Sequence, residues 1–257
     1  MRFFNRRIHK AVSVFDTVEI SEHQGIRSLH LGNTTVQSAM RLSAPNDLEL
    51  SYTQAMLGFL LFNEPPENTL LIGLGGGSLA KFLYHRFAAM QLTAVEINPE
   101  VIKAAYHFFF LPDDTQRLKV IQADAVDHIV TQRGWDCILL DGFDADFQVA
   151  GLASESFYAD CANALSRNGV LSVNLWGSDP NFEDYRQRLA LTFDQRIISL
   201  PAQKRGNVIV FAFAAPPPFQ RRKALRQRAR QLETALNLPF SDFVEQLESS
   251  AGWLIQD

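Results

Sequence analysis

Cysteine is scarce in this 257-residue chain: Cys137 and Cys161 are the only two, and they form no metal-ligand or redox spacing. That excludes a cysteine metal site and a dithiol centre. Both side chains, one in an apolar run and one in a helical pattern, read as core. No apolar run approaches the roughly 18 residues of a membrane span. The N-terminus, with Arg2, Arg6, Arg7 and Lys10, lacks the apolar stretch of a signal peptide. A strong excess of either charge is also missing. The net charge of −4 exerts no general pull on nucleic acid or anionic lipid, and it is compatible with a cationic substrate. Internal repeats are absent. The remaining composition, 47% apolar and 20% charged, is that of a globular protein. The length suits one large domain with a small appendage, and the expectation is a soluble, cytoplasmic protein.

The chain divides into three stretches: a β-strand domain over 1–50, an α/β domain over 51–215 and a helical extension over 216–257. In the first, Val12–Phe15, Val18–Ile20, Ser28–Leu31 and Thr35–Met40 carry β-type residues, with Gly32-Asn33 as a hairpin turn between the last two. Tyr52 to Phe62 has a helical apolar pattern. From Thr69 onward, strands expected at 69–72, 92–96, 118–122, 136–141 and 169–175 alternate with helical patterns at about 78–88, 99–109, 125–132 and 154–167. This alternation predicts a parallel sheet covered on both faces. A helix at about 180–192 then precedes strands at Arg196–Leu200 and Asn207–Phe213, whose short link predicts an antiparallel pair. Pro216-Pro217-Pro218 closes the domain, since proline continues neither a ladder nor a helix. Beyond it, Gln220–Leu236 reads as a basic amphipathic helix, followed by a shorter helix at 241–249.

The chemistry concentrates on Leu70-Leu71-Ile72-Gly73-Leu74-Gly75-Gly76-Gly77-Ser78 and on Glu96, nineteen positions after Gly77. An apolar strand running into glycines and then a helix, with an acid at the next strand end, binds an adenosine-containing cofactor. Glycines at 73, 75 and 77 give G-x-G-x-G; the last glycine of the dinucleotide pattern G-x-G-x-x-G would fall on Ser78. G-x-G-x-G is the form used with S-adenosylmethionine. Glu96 then holds the ribose hydroxyls, and Asp124, with Ala125 beside it, accepts from the adenine amino group. The fold expected is α/β, a methyltransferase-like (Rossmann-like) sheet with a small N-terminal β domain.

These residues resemble a family, the polyamine aminopropyltransferases (spermidine and spermine synthases), which share the methyltransferase fold. The similarity runs over residues 12–213. It includes Leu31 to Gln37, a strand ending in glutamine; Ser51-Tyr52-Thr53-Gln54-Ala55-Met56-Leu57, similar to the family's Y-H-E-M-L helix; and Asp141-Gly142-Phe143-Asp144, in place of D-S-S-D or D-S-T-D. Gly151-Leu152, Phe157-Tyr158 and Gly169-Val170-Leu171 follow the family's spacing. The resemblance implies transfer of an aminopropyl group from decarboxylated S-adenosylmethionine to a putrescine-like polyamine. Asp141 matches the catalytic aspartate, Tyr52 the tyrosine that positions the amine, Asp144 the anchor of the polyamine's cationic end, and Gln37 a cofactor-side contact. The sulfonium is already a good leaving group, so no metal is required. A homodimer involving the N-terminal strands is also implied.

Three positions depart from the family pattern. Ser78 replaces the aspartate of G-G-G-D-G-G that pairs with the donor's amine, a charged hydrogen bond worth roughly 1.5–3 kcal/mol. Gln54 replaces the glutamate of Y-H-E at a substrate-binding position. Asp146-Phe147-Gln148-Val149-Ala150 stands where a P-x-G-P lid would be. Ser78 and Gln54 motivate an alternative, methyl transfer from S-adenosylmethionine itself to a small acceptor. The basic helix, with Arg221, Arg222, Lys223, Arg226, Arg228 and Arg230, motivates a nucleotide- or RNA-binding module as a third reading. The same helix reads more simply as a solvated face whose apolar stripe packs on the body.

Overall fold

The computed structural model describes residues 6–142, 149–202, 206–217, 220–250 and 255–256. The chain opens with four antiparallel strands in sequence order: β1 (Arg6–Val12), β2 (Thr17–His23), β3 (Ile26–Leu31) and β4 (Ser38–Arg41). Gln24 and Gly25, both at positive φ, turn β2 into β3, as a two-residue hairpin requires. Alternation along β2 sends Val18 and Ile20 inward, where they join Leu29 and Met40 against Val101, Ala104 and Phe109. Those last three belong to a helix of the second sheet's layer, so the N-terminal sheet is packed onto it.

Two sequence expectations shift here. The strand expected at Val12–Phe15 ends at Val12, the last residue of β1: Ser13 Oγ accepts from the N–H groups of Phe15 and Asp16 at 3.1 and 3.0 Å, closing a turn over the rest. A serine hydroxyl that satisfies nearby backbone competes with the ladder. Tyr52–Phe62 is not one α-helix either. It is α1 (Ser51–Ala55) followed by a 3₁₀ segment at Met56–Leu61. A Cβ on Gly58 would meet Leu200 and Phe211 at 2.9 Å, so this segment is pressed directly onto the sheet.

The second sheet contains β5 (Asn68–Ile72), β6 (Gln91–Glu96), β7 (Leu118–Gln122), β8 (Trp135–Leu140), β9 (Leu165–Trp176), β10 (Ile197–Pro201) and β11 (Asn207–Phe213). Their spatial order is β10-β11-β9-β8-β5-β6-β7. The five strands from β7 to β9 are parallel; β11 inserts antiparallel beside β9, and β10 closes the edge. β9 begins at Leu165, four residues earlier than expected, because the helix before it stops at Ala164 and the pairing with β8 resumes across an irregularity. Burial on both faces follows from alternation inside continuous apolar runs. Leu71 and Leu139 face one core, while Leu70, Ile72, Ile138 and Leu140 face the other.

The first of these faces is covered by α2 (Ser78–Arg86), α3 (Pro99–Phe109) and, further along the chain, α7 (Arg222–Leu236) and α8 (Phe240–Ser250). The other is covered by α4 (Ala125–Val130), α5 (Glu155–Ala164) and α6 (Phe182–Thr192). Leu225, Ala229 and Leu236 of the basic helix α7 are buried in the first core, and Arg228 is spent on the Leu60 and Asn63 carbonyls at 2.6 Å each. Among the described residues, no helix is long and apolar enough to cross a membrane.

Lys81 fastens the layers together. Fully buried in α2, it donates to the carbonyls of Pro45 and Phe109 at 2.7 and 2.6 Å, joining the segment after β4 to the end of α3. Burial pulls its pKa down to about 8. The chain order reverses between β5 and β8, since β5 leads to β6 on one side and β8 to β9 on the other. Open α/β sheets bind their ligands at such a switch point, beyond the carboxyl ends of the strands.

Here the two strand ends approach so closely that a Cβ on Gly73 would lie 2.2 Å from the Asp141 carbonyl oxygen, and Gly73 also holds φ at +87°. Gly73→Ala therefore has neither the space nor the backbone freedom it needs. Urea unfolding is expected to show a loss of about 2 kcal/mol or more. An unchanged midpoint would contradict the close approach of β5 and β8.

Candidate active site

A cavity of about 390 Å³ opens at this switch point. Gly73, Gly75, Glu96, Asp124, Ala125 and Asp141 line it from the sheet side, and Phe15, Asp16, Leu31 and Gln37 line it from the N-terminal sheet. Tyr52 lies between the two groups at the start of α1.

Glu96 ends β6 and braces the glycine turn. Its Oε2 accepts from Leu74 N–H at 3.0 Å and its Oε1 from Asn98 N–H at 2.9 Å. Burial raises its pKa, while the N–H groups of Asn98, Leu74, Ile97 and Gly75 favour the carboxylate. Each carboxylate oxygen has a second lone pair, so the group can still accept from a pair of vicinal hydroxyls. Asp124 caps α4, taking Val126 N–H on Oδ1 at 2.8 Å, which leaves its Oδ2 able to accept a further bond.

Asp141 stands one residue beyond β8. Tyr52 Oη donates to its Oδ2 at 3.1 Å and also faces the Gln37 carbonyl at 3.0 Å. Asn174 Nδ2 donates to Oδ1 at 2.8 Å. Burial lifts the Asp141 pKa to about 6; the bonds from Asn174 and Tyr52 work against that rise, and the charge on Glu96 adds to it. Tyr52 is pushed well above its ordinary value by burial and by Asp141, so it stays protonated and can donate to the Asp141 carboxylate. A carboxylate of this kind is ionised at neutral pH yet basic enough to take a proton.

Other expected residues fall elsewhere. Gly77 caps α2 in the left-handed region and is not in the cavity lining. Ser78 is buried on the far side of the turn: its hydroxyl lies 3.3 Å from Ser38 Oγ and 3.4 Å from the Ala39 carbonyl, outside the cavity lining. Gln54 also stays out of the lining, its Nε2 donating to the Leu48 carbonyl at 2.7 Å. A small residue at Ser78 suits its packed position, and Gln54 is aimed back along its own connection. Asp144 and Asp146 lie outside the described residues.

Two positions escape a reading of the sequence motifs. Asn174 is buried in β9, and Asn207 of β11 donates to its Oδ1 at 2.9 Å, orienting the amide so that its N–H points at Asp141. The available signal is a lone amide inside Val170-Leu171-Ser172-Val173-Asn174-Leu175, since a buried polar side chain needs partners. Asn174→Leu removes a donor to the ionised form of Asp141. The acid limb of the pH–activity profile is expected to move up by about one pH unit, with little change well above it. An unmoved limb together with a uniform loss of activity would assign Asn174 a packing role alone.

Residues 49–195 match the model of the spermine/spermidine synthase domain. A polyamine aminopropyltransferase from Chromobacterium violaceum is 45% identical over 99% of this chain and 100% of its own length. A spermidine synthase solved with the transition-state analogue AdoDATO superposes with a TM-score of 0.70 at 20% identity, covering 83% of this chain and 75% of that one. Human methyltransferase-like protein 13, solved with SAH, gives 0.66 at 26% identity over 74% and 93% of the two chains, which marks the sheet as shared with methyltransferases. On this full-length similarity the chain belongs to the spermine/spermidine synthase family of polyamine aminopropyltransferases.

Proposed function

We propose that the protein transfers an aminopropyl group from decarboxylated S-adenosylmethionine to a putrescine-like amine. The observation that carries this reading is the carboxylate of Asp141, poised by Tyr52 and Asn174 in the same cavity as the glycine turn and Glu96. The name of the Chromobacterium relative gives it independent support.

The chemistry follows from those groups. Glu96 accepts from the ribose hydroxyls and Asp124 from the adenine amino group, which sets the sulfonium near the mouth of the switch point. An acceptor ammonium has no lone pair. Asp141 takes its proton, and the freed nitrogen attacks the methylene bonded to sulfur. The C–N bond forms as the C–S bond breaks, and the bonding pair returns to sulfur. The products are the extended amine, still carrying one more positive centre than before, and neutral methylthioadenosine. Tyr52, kept protonated, holds the Asp141 carboxylate in place and is the residue best sited to orient the incoming nitrogen.

The test is product analysis with each donor in turn. Decarboxylated S-adenosylmethionine plus a diamine is expected to give methylthioadenosine and an aminopropylated amine. Formation of S-adenosylhomocysteine from S-adenosylmethionine instead would favour methyl transfer. Asp141→Asn is expected to lower turnover by about a hundredfold or more, the usual weight of a general base, while donor binding survives. Unchanged turnover in that variant would remove Asp141 from the mechanism. In the intact protein kcat/KM should climb with pH and level off above about 6, because protonated Asp141 cannot accept a proton. A profile flat from pH 5 to 7 would contradict the assignment.

A further inference from the structure

Four carboxylates line the cavity among the described residues: Asp16, Glu96, Asp124 and Asp141. The proposed reaction uses three of them. Asp16 is left over, and it comes from the other side of the cavity, from the turn between β1 and β2.

That turn is built to hold a side chain still. Ser13 N–H and Ser13 Oγ both donate to the Asp16 carbonyl, at 3.0 and 2.9 Å, while Ser13 Oγ accepts from the Asp16 N–H at 3.0 Å. The carboxylate is then steered by its own neighbour, since Thr17 N–H donates to Oδ1 at 2.7 Å. Oδ2 remains to accept from a ligand. Apolar Phe15 and Leu31 line the cavity alongside it, and a charge pairing gains weight in such surroundings.

The donor presents the matching demand. Decarboxylated S-adenosylmethionine carries a primary ammonium at the end of its transferred arm, beyond the methylene that is attacked. An ammonium entering a mostly apolar cavity needs a partner. Ser78, the position from which the family resemblance would supply an acid, is uncharged and turned toward Ser38 and Ala39. In the proposed reaction Glu96 takes the ribose hydroxyls and Asp124 the adenine amino group on the oxygen sites that their backbone partners leave, and Asp141 must stay free for the acceptor.

We infer that Asp16 is the carboxylate that receives the donor's arm ammonium, so that charge selection at the donor site has moved from the glycine loop to the N-terminal hairpin. It is a specificity-determining residue: it attracts the decarboxylated donor and repels the carboxylate that ordinary S-adenosylmethionine carries at the same place. This inference rests on the aminopropyl-transfer reading.

The experiment is calorimetric titration of the full chain and of Asp16→Asn with three ligands: decarboxylated S-adenosylmethionine, S-adenosylmethionine and methylthioadenosine. Asparagine keeps an oxygen for Thr17 N–H and removes only the charge. Methylthioadenosine has the adenosine and the sulfur but no arm. The variant is expected to bind the decarboxylated donor about tenfold to a hundredfold more weakly, to bind methylthioadenosine as before, and to lose most of its preference over S-adenosylmethionine. Equal weakening of all three ligands would assign Asp16 to the hairpin's structure and overturn the inference. So would unchanged donor binding, whether or not the KM for the amine acceptor rises. If the unaltered protein binds S-adenosylmethionine more tightly than the decarboxylated form, the underlying functional reading fails first, and that outcome is separable because it needs no variant.

Discussion

The approach of two strand ends governs this molecule. β5 finishes at Ile72 and β8 at Leu140, side by side, and only a glycine at 73 lets the backbone leave one strand without striking the carbonyl of Asp141. From that contact the glycine turn leads up to α2, and Asp141 emerges next to it. The glycine turn and the Asp141 carboxylate are therefore fixed relative to each other by paired backbone, with Asp141 N–H donating to the Ile72 carbonyl at 2.9 Å. Precision of this kind is what the proposed in-line displacement needs, because small misplacements of reacting atoms are expensive.

The second constraint is electrostatic. Several carboxylates converge on a small cavity, and like charges resist being ionised together. The protein manages this by giving each acid its own donors. Glu96 takes backbone N–H groups, Asp124 takes the start of a helix, Asp16 takes its neighbour's N–H, and Asp141 takes side chains from α1 and β9. Burial raises both Glu96 and Asp141, and Asp141, with two side-chain donors, is lifted to about 6. The same negative lining suits the cationic donor and polyamine of the proposed reaction.

Much of this was legible in the sequence, for physical reasons. Glycines at 73, 75 and 77 announce backbone that other residues resist, and alternating strand and helix periods specify a doubly covered sheet. Other features were hidden because they depend on contacts between distant segments. Asn174 and Asn207 meet only because β9 and β11 pair antiparallel, a register no local pattern states. Ser78 looks like a cofactor contact by position, yet packing turns it toward β4. The run Val12-Ser13-Val14-Phe15 has the residues of a strand, but one serine hydroxyl folds it into a turn and so delivers Asp16 to the cavity.

Burial and two side-chain donors tune the Asp141 carboxylate to exchange a proton near neutrality. The most direct measurement is a carbon-13 NMR pH titration of labelled aspartate carboxyl groups in the intact protein, with the Asp141 signal assigned by its loss in Asp141→Asn. A midpoint near 6 is expected, well above the ordinary value of 3.8. A midpoint at that ordinary value would contradict it.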